Sequence, residues 1–216
     1  MTILNVKMAR SIWLVDSRDL NPHGIDIMPM LAAIKDRYRF QEYPKTAEQA
    51  NEYDAKGIVF MNGSFAVENH RYTIVKATMF GDGIVVDSAL STDFSEAFLA
   101  DVLEFLSGQF ALTYRPEMIH GKIYLSELIV QTDKDLHRLF APLAAIKEKL
   151  DLLTGRNFQP AGFGFSVDPK AFASQPAPFR FEREILKPFE QRRYYSAAPL
   201  RTSQHEDLLR EMEALL

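Results

Sequence analysis

The chain reads as an α+β protein, with a mixed, mainly antiparallel sheet and helices packed mostly on one of its faces. Three observations predict this. Between Arg71 and Val130 a hairpin, a capped amphipathic helix and a returning strand follow one another, each marked by several agreeing residues. Elsewhere strands come in succession instead of alternating regularly with helices, which argues against a doubly wound parallel sheet. The hydrophobic fraction of 47% is ample for a packed core, and the charged fraction of 25% is ordinary for a globular chain.

Taken in order, Ile12-Trp13-Leu14-Val15 predicts a short buried strand. Asp16 to Gly24 is a polar loop with Asn21-Pro22 and Gly24 as turn formers. Asp26 caps a helix whose first turn holds Pro29, where a missing N–H does no harm, and Ile27, Leu31, Ile34 and Tyr38 share one face. Arg39 to Tyr43 is extended and stops at Pro44, and Thr46 to Asp54 is a short polar helix. Gly57 to Phe65 is a strand, turned by Asn62-Gly63 or Glu68-Asn69 into the next one. That strand, Tyr72 to Phe80, is rich in β-branched and aromatic residues, and Gly81-Asp82-Gly83 turns it into Ile84 to Ala89.

Asp93 and Glu96 have the spacing of a capping box, and Phe98, Leu99, Val102, Phe105 and Leu106 form the apolar stripe of the helix behind it, with Gly108 as its stop. Lys122 to Gln131 is the returning strand. A second long helix follows from Thr132 or Asp133, with Pro142 splitting its stripe of Leu136, Leu139, Phe140, Leu143, Ile146, Leu150 and Leu153, and Gly155 ending it. Phe158 to Val167 is irregular and strand-like, and Phe179 to Leu186 alternates as a strand. Tyr194-Tyr195 opens another extended piece closed by Pro199. Ser203 to Glu206 is a second capping box, starting a terminal helix with Leu208, Leu209, Met212 and Leu215 on its apolar side. No sequence repeat is evident. The 216 residues, 1–216, read as one domain, and a division near 155–160 is the alternative.

Composition narrows the function more than the motifs do. There is no cysteine, which removes disulfides, thiolate chemistry and Cys-ligated metals. No apolar run approaches the roughly 20 residues that span a bilayer, and the first ten residues lack a secretory core, so no membrane role and a cytoplasmic location are expected. No catalytic, cofactor or metal motif is present. The five histidines, His23, His70, His120, His137 and His205, stand apart in sequence. Asp133 and His137 have a spacing compatible with a metal, but capping by Asp133 accounts for it better, and His205 reads as solvated. Gly162-Phe163-Gly164 reads as a bulged strand, since no Lys-Ser/Thr follows it.

Charges that interrupt apolar strand faces give the candidate site. Asp87, Glu127 and Arg183 each point the same way as apolar neighbours, because side chains alternate along a strand. Either these faces are partly exposed, or Glu127 bridges Arg183, or all three converge on a pocket. Arg183, Arg192, Arg193, Tyr194 and Tyr195 lie in a locally basic stretch from 180 to 201 that suits a phosphate or nucleic-acid ligand, against which the net charge of −4 argues. A hydrolase-type site assembled from Asp87, Glu127 and His120 is a second alternative. The leading expectation is a protein that works through self-assembly, as a homo-oligomer, or through a protein partner. Sixteen Phe and eight Met exceed the needs of one modest core, and the terminal helix is the expected contact element.

Overall fold

A computed structural model describes residues 1–46, 57–68, 70–134, 136–168, 170 and 176–215. The polar helix expected at 46–54 lies almost wholly outside these residues, as does the His137 side chain. The strands are β1 (Thr2–Leu14), β2 (Ile58–Val67), β3 (His70–Phe80), β4 (Gly83–Ser88), β5 (Gly121–Gln131), β6 (Gly162–Phe165), β7 (Phe179–Arg183) and β8 (Arg193–Ala198). They form one antiparallel sheet in the order β2-β3-β4-β1-β5-β8-β7-β6. The helices are α1 (Ser17–Leu20), α2 (Ile27–Tyr38), α3 (Thr92–Phe110), α4 (Ala144–Thr154) and α5 (Thr202–Ala214). The α+β class expected from the sequence is the class observed.

The chain divides into two compact units. The first comprises Val6–Ser126 and Pro199–Thr202, the second Met1–Asn5, Glu127–Ala198 and Ser203–Leu216. Residues 155–160 lie inside the second unit.

In the first unit, β2, β3 and β4 form a meander and β4 pairs with β1 from Ala9↔Ser88 to Leu14↔Gly83. Buried positions alternate along β1, with Ala9, Ser11 and Trp13 inside, so one face of the strand meets the core. The α2 and α3 stripes close that core: Leu31, Ile34 and Tyr38 from one helix, Phe98, Leu99 and Val102 from the other. Tyr38 meets Phe98 edge-to-face at 4.8 Å, and Phe40, Phe60 and Phe65 continue the aromatic cluster. Gly63 lets Phe40 in, because a Cβ there would stand 2.4 Å from its ring.

Several local expectations are corrected. The cap of α3 is Ser91, whose hydroxyl accepts from Phe94 N at 3.1 Å, while Asp93 lies in the first turn. Its helix passes through Gly108 and ends at Ala111, which takes the left-handed conformation, φ 54°. Of the two turn sites expected here, the Asn62-Gly63 pair stays inside β2 and the turn comes at the other, at Glu68, φ 54°. Arg39 to Tyr43 makes only an isolated bridge, Glu42↔Met61. β1 starts ten residues before the expected strand, and β7 stops at Arg183 instead of reaching Leu186.

In the second unit, β6, β7 and β8 form another meander, with Phe181 stacked on Tyr194 at 4.8 Å. Pro142 splits the long helix as expected: residues 136–143 form a 3-10 segment, and α4 continues from Ala144 to Gly155, whose φ of 64° ends it. His205, expected in solvent, is fully buried, with Ser196 Oγ 2.8 Å from its Nε2.

An order of elements recurs. β1-α2-β2-β3-β4-α3 is followed by β5-α4-β6-β7-β8-α5, and in each half the last meander strand lies beside the opening strand. Leu90 and Thr92 at the start of α3 correspond to Leu200 and Thr202 at the start of α5. The two threonines cap each other: Thr92 N donates to Thr202 Oγ1 and Thr202 N to Thr92 Oγ1, both at 3.0 Å.

Candidate functional site

α4 begins after Pro142 has broken the preceding segment, and its best helix formers are Ala, Leu, Lys and Glu. Leu143, Ile146, Leu150 and Leu153 are spaced 3, 4 and 3 apart, which puts them on one side of the helix. None is buried: their exposures are 52%, 60%, 41% and 72%. Leu152, on the opposite side, is exposed as well.

A groove of about 310 Å³ runs beside this stripe, lined by Phe140, Leu143, Ile146, Leu150, Phe158 and Pro160. Its far wall is held by Asp151. The carboxylate accepts from Lys147 Nζ at 2.6 Å and from Phe158 N at 2.7 Å, and the left-handed Gly155 reverses the chain between them. The Lys147 bond, then the Phe158 bond, hold the Asp151 carboxyl below its ordinary range. Lys147, Glu148, Lys149 and Asp151 leave the helix without net charge. Ile185 and Leu186, between β7 and β8, add further exposed aliphatic surface to the same unit. Such surface is what a binding face needs, since isolated monomers keep contiguous apolar patches small.

The residues singled out in the sequence are differently placed. Asp87 is buried and spent on Arg10, which donates from Nε at 2.6 Å and from Nη2 at 2.9 Å. His120 is exposed and its backbone N–H donates to Leu14 O at 2.9 Å. Leu14 is four residues along β1 from Arg10, and β4 and β5 flank β1 on opposite sides, so Asp87 and His120 stand on the order of 16 Å apart. Glu127 accepts from the Tyr195 hydroxyl, which burial first and Glu127 second push up to about 12. Arg183 lies over Phe189 at 4.2 Å and over Tyr194 at 5.4 Å, and its Nε donates to Pro160 O at 3.0 Å. Tyr194 and Tyr195 are consecutive in β8 and point to opposite faces. Glu127 and Arg183 therefore sit on opposite faces too, and neither the bridge nor their shared pocket forms. Arg193 pairs with Glu184 at 2.6 Å, and Arg192 donates to Asp133 O. Tyr194 is buried under Phe181 and offers no face to a base. The terminal helix α5 turns Thr202, His205, Leu209 and Met212 inward and leaves Leu208 exposed, as is Leu215 just past its end.

Sequence reasoning missed the densest polar network, which lies in the first unit. Glu96 receives Trp13 Nε1 at 3.1 Å, Lys122 Nζ at 2.8 Å and the Tyr124 hydroxyl at 3.0 Å, and Arg201 Nη1 lies 2.5 Å from its other oxygen. Lys122 covers the Trp13 ring at 4.2 Å and Arg201 the Tyr124 ring at 4.4 Å. Burial would raise the Glu96 carboxyl, but the bonds from Lys122, Arg201 and Tyr124 outweigh it and hold it below the ordinary range. Both carboxylate oxygens are engaged, so the arrangement clamps β1, α3 and β5 together. Two of its members alternate on one strand, Lys122 and Tyr124, which was the only sequence signal for it.

Among the described residues no cluster of three or more His, Asp or Glu side chains is placed to hold a metal ion, and no helix is long and apolar enough to cross a membrane. No protein-family model matches the chain, and no curated protein resembles it in sequence.

Proposed function

We propose that the protein works by self-association, with α4 pairing against α4 of a second copy. The observation that carries this reading is the exposed stripe Leu143, Ile146, Leu150 and Leu153. Its 3-4-3 spacing is the seam that two helices use when they pack side by side. The adjoining groove can receive a ridge of side chains, as helix packing requires. The absence of net charge on α4 means that a like copy is not repelled. Stable interfaces cover roughly 800 Å² on each partner, and the further exposed aliphatic residues of the second unit supply part of that area. We place the assembly in the cytoplasm, a reducing compartment suited to a chain without cysteine.

Light scattering over a concentration series tests the reading. The native chain is expected as a dimer at micromolar concentration and Ile146→Glu as a monomer with unchanged circular dichroism. A native chain that remains monomeric at 100 µM, a concentration about a hundred-fold above a micromolar Kd, contradicts it.

A further inference from the structure

We propose that the first unit is a carrier for one small, uncharged, apolar molecule, held in a cavity that plays no part in the assembly proposed above. The cavity measures about 530 Å³ and lies where β1 gives way to Val15, between α2 and the second half of α3. Its wall is mainly aliphatic, with Phe80 beside Leu31 and Ile34 from α2, Ile58 and Ile84 from the sheet, and Leu103 and Leu106 from α3. The six aliphatic residues are all buried in the core. Polar side chains enter only at the rim, as Ser17, Arg18 and Asn21.

The rim decides the chemistry of the occupant. Asn21 is spent on Ile25, donating to its carbonyl and accepting from its N–H, both at 2.8 Å. Arg18 is spent on Asp16, at 3.1 Å from Nε and 2.7 Å from Nη2. That pair cancels its own charge, so the mouth attracts neither an anion nor a cation. The side chains of the inner wall give water no hydrogen-bonding partner, and a buried water is held where it finds two to four. An apolar space left empty in a core weakens the fold in proportion to its volume. An apolar guest removes both difficulties. A cavity of about 150 Å³ accepts benzene, so this one accommodates on the order of 20 non-hydrogen atoms: a medium-length alkyl chain or two or three fused rings. Two methionines in the lining, Met30 and Met79, let the wall adapt to the guest's shape.

Calorimetric titration of the full chain with 1-decanol is the test. One saturable site is expected. Ile27→Trp and Leu112→Trp fill the mouth from half-buried rim positions that tolerate a larger side chain. Each is expected to weaken binding by about ten-fold or more while the melting temperature of the free protein holds or rises. Methyl shifts on binding should fall on Ile34, Ile58 and Ile84. Absence of saturable binding, binding unchanged in both variants, or shifts at Ile146 in the α4 groove instead would overturn the proposal. A preference of about ten-fold or more for decanoate or decylammonium over decanol would overturn the uncharged class.

Discussion

Glu96 shows how much one side chain carries when four donors from three segments meet on it. Only 12% of its side chain is exposed, so removing it strands Lys122, Arg201, Tyr124 and the Trp13 N–H in a half-buried place. Glu96→Gln is expected to cost about 2 kcal/mol at neutral pH, by urea unfolding. The pH dependence follows from the sign of the shift. A carboxyl held below its ordinary value of 4.5 in the folded state stabilises fully above that value, and the contribution is lost as pH falls through the folded value. The native protein should therefore lose stability below pH 4.5 faster than the Gln variant does. Superimposable acid limbs would show that Glu96 is not so held. Asp151 permits a more local check. Its bond to Phe158 N fixes the wall of the α4 groove, so Asp151→Asn should speed amide exchange at Phe158 with little change in global stability. An unchanged exchange rate would show that the wall stands without it.

At the scale of elements, α3 shows what a sequence discloses and what it hides. Its stripe was legible because burial of Phe98, Leu99 and Val102 depends only on helical period. Its cap was not, because Ser91 and Asp93 are both good capping residues and the choice depends on Arg201, distant in sequence, which takes Asp93 at 2.7 Å. Ser91→Ala should accordingly cost about 1 kcal/mol and Asp93→Ala less, by thermal unfolding. The reverse order would restore Asp93 as the cap. The candidate charges failed for a similar reason. Alternation says which way Glu127 and Arg183 point within their own strands, but not which face of the sheet each strand turns toward the core. That depends on register, and Arg183↔Tyr194 puts Arg183 on the face opposite Glu127. His205 was misjudged because its capping-box position suggested solvent, whereas α5 rotates it inward beside Ser196. Gly63 is a further element-scale test: Gly63→Ala drives a methyl into Phe40 and should cost about 2 kcal/mol, and a neutral result would mean that the β2–Phe40 contact is loose.

At the scale of the molecule, the recurrence of strand, helix, meander and helix organises both halves of the chain, yet it left only scattered matches such as Leu90 with Leu200 and Thr92 with Thr202. Topology tolerates any residues that keep the pattern of burial, so a repeated order need not be a repeated sequence. The halves differ where it matters for function. α2 buries its stripe in the first unit's core, while its counterpart in the second half of the order, α4, leaves its own in solvent. Because the chain has no cysteine, introduced thiols report on that face without background. Mild oxidation of a protein carrying both Ile146→Cys and Leu150→Cys should give a disulfide-linked dimer, and a protein carrying Glu148→Cys and Leu152→Cys, on the other side of α4, should not. No covalent dimer from the first pair, or equal yields from the two, would contradict the pairing of α4 with α4.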